Sequence, residues 1–170
     1  MDLIWEELSA GMPNKQQLVR LIIRLLAALI LGAIVGIQRE RIGKPAGVRT
    51  HMLVSLGAAL FVVAPMEFGM GSDELSRIIQ GLVTGIGFLG GGTILKLHEA
   101  REIEGLTTAA GIWMTAAVGV AAGLGRLGLA VICVILGWVI LALAGKLEIP
   151  VNPELAIKDE QAKTGTENRS

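Results

Sequence analysis

The stretch RERIGKPAGVRTH, Arg39 to His51, gathers Arg39, Glu40, Arg41, Lys44 and Arg49, with Pro45 set between Gly43 and Gly47. A guanidinium group makes rigid two-pronged hydrogen bonds to carboxylate or phosphate. The block therefore suits a lipid headgroup or the acidic face of a partner. Glu67 and Asp73 offer a second chemistry, since two hard carboxylates can touch a divalent cation. Asp73 has an equally simple structural reading. Ser72 is a good N-cap, Asp73 and Glu74 fall in a first helical turn, and Arg77 lies four residues on. Nucleophilic or metal-assisted chemistry has little material. His51 and His98 are the histidines, Cys133 is the single cysteine, and neither spacing makes a zinc site. GTILK lacks the pattern of a phosphate loop, and the serines have no nucleophile context. No enzyme and no cofactor are expected, and the residues do not settle whether a metal is bound.

These side chains must be positioned by strongly apolar elements. The chain has 170 residues, 52% hydrophobic and only 18% charged, with formal net charge +0. That is a membrane composition, and the zero charge balance gives no reason to expect a nucleic-acid partner. Apolar runs occupy residues 18–37, 52–66, 78–95, 105–125 and 127–145. They are too long and too uniformly apolar for barrel strands, and backbone groups in lipid must be paired within a segment. The expected fold is all-α, with five transmembrane helices. The second run is short for the bilayer, with Pro65 at its outer end. The last two are joined by so little chain that they should form a tight antiparallel hairpin. Residues 1–17 form a polar or interfacial segment, 18–145 the membrane domain, and 146–170 a polar tail expected to be disordered.

Five crossings put the termini on opposite sides. Ten cationic residues (Arg39, Arg41, Lys44, Arg49, Lys96, Arg101, Lys146, Lys158, Lys163, Arg169) then share one side, against Lys15, Arg20, Arg24, Arg77 and Arg126 on the other. The positive-inside rule gives N-out, C-in. One or two charges would often set that orientation, so Arg39, Arg41 and Arg49 are expected to do more.

Glycine supplies the packing signal. Gly32 and Gly36, Gly81 and Gly85, Gly87 and Gly91, and Gly119 and Gly123 recur at spacing four, which lets helix backbones approach closely. Gly90 to Gly92 are hard to hold as regular helix, and a break there would expose backbone groups to a ligand or ion. Thr107 and Thr108, after Gly105, suit a helix cap or an interhelical bond. Gln80, Thr84, Thr93, Thr107 and Thr115 are the polar candidates for a solute route, but no acid sits mid-span.

Three runs together resemble the MgtC/SapB family of bacterial inner-membrane proteins. They are GIQRERIGKPAGVRTHMLVSLGAALFVV, DELSRIIQGLVTGIGFLGGGTILK and REIEGLTTAAGIWMTAAVGVAAGLG. The resemblance implies a five-helix, multi-pass protein of the inner membrane, N-out and C-in. It also implies a link to growth in low magnesium and to stress, through action on larger membrane machines such as an ATPase. By carry-over it marks Arg39, Glu40, Arg41, Pro45, Gly47, Arg49 and Thr50, the acid Asp73, then Gly81, Gly85, Gly87, Gly90, Gly105, Thr107, Thr108 and Ala109. The family block often reads GFLGAG where this chain has Gly90, Gly91 and Gly92. Some members append an ACT-like domain, which the short tail here is not expected to form. Expected partners are membrane lipid, a second copy of the chain, or a larger membrane protein. The leading reading is a regulator, and the alternative is a transporter or channel for magnesium or another small solute.

Overall fold

The computed structural model describes residues 4, 13–97 and 102–147. Among them the chain forms five helices and one short hairpin. These are α1 (Lys15–Arg41), α2 (Val48–Glu67), α3 (Ser72–Gly91), β1 (Leu95–Leu97), β2 (Glu102–Glu104), α4 (Leu106–Gly123) and α5 (Leu127–Leu147). The protein is all-α in its membrane part, and α1, α2 and α4 are each long and apolar enough to cross a bilayer. At about 1.5 Å per residue, α1 spans about 40 Å and α2 about 30 Å, so α2 is not the short span its apolar run suggested. Apart from Ile4, the interfacial segment expected before Pro13 lies outside the described residues, as does the tail beyond Leu147.

The helix boundaries move the basic block out of a loop. Arg39, Glu40 and Arg41 complete the last turn of α1, and Arg49, Thr50 and His51 belong to the first turn of α2. Only residues 42–47 make the turn, with Gly43 and Ala46 at φ 65 and 62. The glycine triplet does not break α3. The helix runs through Gly91 and Gly92 caps it. Gly71, not Ser72, is the N-cap of α3, a one-residue shift within the usual ambiguity of helix ends. Residues between α3 and α4 pair as an antiparallel hairpin, Leu95 opposite Glu104, which the apolar pattern did not announce.

Residues Met1–Trp138 form one compact unit and Val139–Ser170 a second. In the first, one apolar cluster joins Ala28, Leu31 and Val35 of α1, Ala59 of α2, Val118, Ala121 and Ala122 of α4, and Ala130 and Val134 of α5. A second joins Ala58, Ile86, Ile112 and Ala116 from α2, α3 and α4. In the second unit α5 continues to Leu147, with Val139, Ile140 and Leu143 exposed. Outward side chains such as Leu53, Phe61, Phe88 and Trp113 are exposed and apolar, a surface made for lipid.

Glycines decide how closely the helices meet. A Cβ on Gly32 would lie 2.6 Å from the His51 carbonyl, and one on Gly36 2.5 Å from Val48 Cα. From α4, a Cβ on Gly123 would lie 2.7 Å from the Ala59 carbonyl, and one on Gly119 would run into the Ser55 carbonyl. Backbone thus rests on backbone where α1 and α4 each meet α2. Gly81, Gly85, Gly87 and Gly91 have open space where a Cβ would stand, and Gly90 makes ordinary contact with Ala109. We predict that Gly119→Ala lowers the thermal unfolding temperature in detergent, by the equivalent of about 1–3 kcal/mol of overpacking. Gly85→Ala should be neutral or stabilising, by up to about 1 kcal/mol of helix propensity. Equal effects from the two variants would contradict this packing.

Candidate functional site

The close approach of α1, α2 and α4 encloses polar groups. Arg39, His51, Ser55, Thr108 and Thr115 are all at most 1% exposed. On α2, His51 and Ser55 are one turn apart. On α4, Thr108, Gly111 and Thr115 fall on one face at helical spacing. Arg39 Nη2 donates to Thr108 Oγ1 at 2.8 Å. The Thr115 hydroxyl donates to the Gly111 carbonyl at 2.8 Å, which commits its only proton. His51 Nδ1, 2.8 Å from Thr115 Oγ1, must then be the donor in that bond. In the neutral ring this leaves Nε2 as a bare acceptor. Arg39 Nε, His51 Nε2 and Ser55 Oγ are buried without a hydrogen-bond partner. Among the described residues Arg39 has no carboxylate partner.

The file has a direction. It begins at the basic end of the helices with Arg39 and Thr108, continues through His51 and Thr115, and stops at Ser55. Beyond Ser55 the buried residues of α2 are Ala58, Ala59, Val62 and Val63.

The other marked residues separate by environment. Glu40 Oε2 accepts from the Val48 amide at 3.0 Å, so Glu40 serves the start of α2. A Cβ on Gly47 would crowd that same carboxylate oxygen at 2.6 Å. Arg41, Pro45, Arg49 and Thr107 are exposed, while Thr50 and Ala109 are half-buried. Gly105 is the N-cap of α4 at φ 93. Glu67 and Asp73 are exposed at the opposite end. No group of three or more metal-ligating side chains occurs among the described residues. At that far end Arg24 Nη1 donates to the Gly123 carbonyl at 3.2 Å, closing the C-terminus of α4. Of the threonines suggested for a solute route, Thr84 bonds back to the Gln80 carbonyl and Thr93 to the Gly90 carbonyl. His51 and Ser55 were not singled out from the sequence as parts of a site. Their spacing of four, on the face opposite Thr115, is the signal that could have found them.

The model described as the MgtC family matches residues 25–149. The SrpB protein of Synechococcus elongatus is 46% identical over 62% of this chain and 65% of its own length. The MgtC protein of Salmonella typhimurium (strain LT2) is 44% identical, over 62% of this chain and 44% of its own. The YhiD protein of Escherichia coli (strain K12), whose name assigns it to magnesium transport, is 44% identical over 61% of this chain and 51% of its own. The chain thus covers less than two thirds of each of these relatives. No solved structure matches.

The His51–Thr115 bond gives a direct test. We predict that Thr115→Val, similar in shape but without the hydroxyl, destabilises the protein by about 1–3 kcal/mol through the stranded imidazole N–H. A double-mutant cycle with His51→Leu, read by chemical unfolding in detergent, should return a coupling of about 1 kcal/mol. Strict additivity would rule the bond out.

Proposed function

The chain belongs to the MgtC family and is a multi-pass protein of the bacterial inner membrane; from that premise we propose that it is a small regulatory membrane protein. It modulates other membrane machinery during adaptation to low magnesium or stress, with ATP synthase and magnesium transport as candidate targets. The observation that carries this reading is the half-length polar file. A route for a hydrated cation needs oxygen ligands along its course, and magnesium sheds water reluctantly. The buried polar groups end at Ser55, and buried alanine and valine follow. The acids of the described helices sit in their first or last turns.

The surface available to a target is on α2 and α3. An apolar groove of about 920 Å³ is lined by Gly57, Leu60, Phe61, Leu82, Gly85 and Leu89, among others. The open Gly81 and Gly85 on its wall would let a partner helix approach closely. That partner is a second copy or a larger machine such as an ATPase. The orientation we assign is N-out and C-in, from the distribution of lysine and arginine.

The second reading, transport of magnesium or another small solute, draws support from the name of the Escherichia coli relative. A cysteine at position 71 should label from outside intact cells, and a reporter after Gly145 should face the cytoplasm. The reverse pattern would invert the topology. Purified protein in liposomes under a magnesium gradient should show no flux above empty vesicles, while crosslinking in cells captures a membrane partner that Gly85→Leu abolishes. Saturable flux lost on Asp73→Asn would replace the regulatory reading with the transport one.

A further inference from the structure

Three of the five helix starts are met by an acceptor or a negative charge, and α5, like α4, has no acid in its first turn. At α1, Asn14 and Gln17 form a reciprocal capping box. At α2, the Glu40 carboxylate accepts from the first amide. At α3, Asp73 and Glu74 occupy the first turn. Each supplies an acceptor or negative charge where free N–H groups and the helix dipole call for one. α4 has none of these. It has no acid in its first turn and no side-chain cap. Its first backbone bond is donated by the Ala109 amide to the Gly105 carbonyl, so the amides of Leu106, Thr107 and Thr108 have no acceptor within the helix.

The N-cap residue cannot supply the missing acceptor. Gly105 sits at φ 93, and a Cβ there would collide with the Thr93 carbonyl. A capping serine or aspartate does not fit. What the fold places beside this turn is a cation. Arg39, 1% exposed, reaches Thr108 in the first turn of α4 and keeps a buried Nε without a partner. A positive charge at the positive end of a dipole is the unfavourable arrangement. A buried guanidinium with no carboxylate partner among the described residues adds to the cost. The contrast with Arg24, which caps the negative end of the same helix at Gly123, makes the inversion plain.

We infer that the first turn of α4 and Arg39 form a binding site for a phosphate-type oxyanion. Its oxygens accept from the open amides of α4, and its charge balances Arg39. Two uncapped or cation-flanked features point at the same spot, and helix N-termini with a nearby arginine are a recurring way to hold phosphate. Thr107, exposed in that turn, marks the side from which the anion enters. The exposed Arg41, Lys44 and Arg49 at the same end of the helices raise the local anion concentration. The same chemistry fits a free phosphate and the phosphodiester of an anionic lipid. The site does not depend on the regulatory reading, and a binding measurement reads it alone.

The full chain in maltoside micelles, which carry no phosphate, would be titrated with inorganic phosphate, with chloride as a control at constant ionic strength. Separate micelles would be doped with phosphatidylglycerol. A saturable rise in unfolding temperature with phosphate is expected for a free oxyanion site. A rise only with phosphatidylglycerol assigns the site to a headgroup. Thr107→Asp places a carboxylate in the turn itself. It should raise the ligand-free unfolding temperature and remove the ligand-dependent rise, whereas Thr107→Asn keeps that rise. Arg39→Gln should weaken the apparent affinity by at least about tenfold, the loss of one charged hydrogen bond. Arg77→Gln, at the other end, should leave it unchanged. If Arg39→Gln does not fold, the pair at Thr107 decides. No rise with either ligand, or a rise that survives Thr107→Asp at the parental midpoint, overturns the site.

Discussion

The backbone-to-backbone approach of α1 and α4 onto α2 is the constraint on which the rest depends. Lipid tails are as apolar as leucine, so helices in a bilayer gain little from burying apolar area against one another. They gain from close packing and from hydrogen bonds that lipid cannot supply. Gly32 and Gly36 on α1 and Gly119 and Gly123 on α4 remove the side chains that would hold the helices apart. At that separation short and long polar groups from different helices come into range. Thr115 reaches His51 and Arg39 reaches Thr108. With side chains at the glycine positions those bonds would be broken, and the same polar groups would be a liability.

Charge placement follows from the same approach. The antiparallel order of α1, α2 and α4 brings the C-terminus of α1 against the N-termini of the other two. A helix C-terminus welcomes cations, so Arg39 and Arg41 are well placed with respect to α1 itself. What suits α1 is wrong for its neighbours. At α2 the conflict is relieved by Glu40, which comes from the same last turn and accepts from the Val48 amide. At α4 no comparable carboxylate is present among the described residues, and the bond to neutral Thr108 leaves the charge unbalanced.

Much of the fold could be read from the chain. The apolar runs are long enough to show their helices, three of them long and apolar enough to cross a bilayer, and their separation by short polar stretches gives the helix order directly. Spacing of four among glycines is also visible, but it states only that a smooth face exists. It does not say whether that face meets a neighbour in the same chain. Gly32 and Gly119 do so, and Gly81 and Gly85 do not, because they open onto the groove between α2 and α3, while α3 buries only Ile86 and Gly90. The polar file was harder to read. His51 lies at the edge of an apolar run, where a histidine would be expected at the interface, and only the extension of α2 back to Val48 puts it inside. Arg39 was legible as a basic residue, but not its burial, because charge patterning alone does not reveal which of three arginines an adjoining helix will cover.

The distribution of polar groups along the interface bears on what such a device can do. A conduit must offer ligands on both sides of its narrowest point, since an ion stripped of water at one end has to be re-solvated at the other. Here the ligands are confined to the end near Arg39, and the opposite half is closed by Ala58, Ala59, Val62 and Val63 against Val118, Ala121 and Ala122. Opening that half would mean separating backbones that glycine has brought into contact, which sacrifices the packing that holds α2. The polar half, in contrast, contains buried atoms without partners on Gln38, Arg39, His51 and Ser55, so a change in charge there is felt directly by α1 and α2. Interfaces of this density shift between discrete arrangements rather than deform smoothly. A short polar file at one end of a rigid apolar seam therefore lacks, among the described residues, the ligands on both sides that a conduit needs.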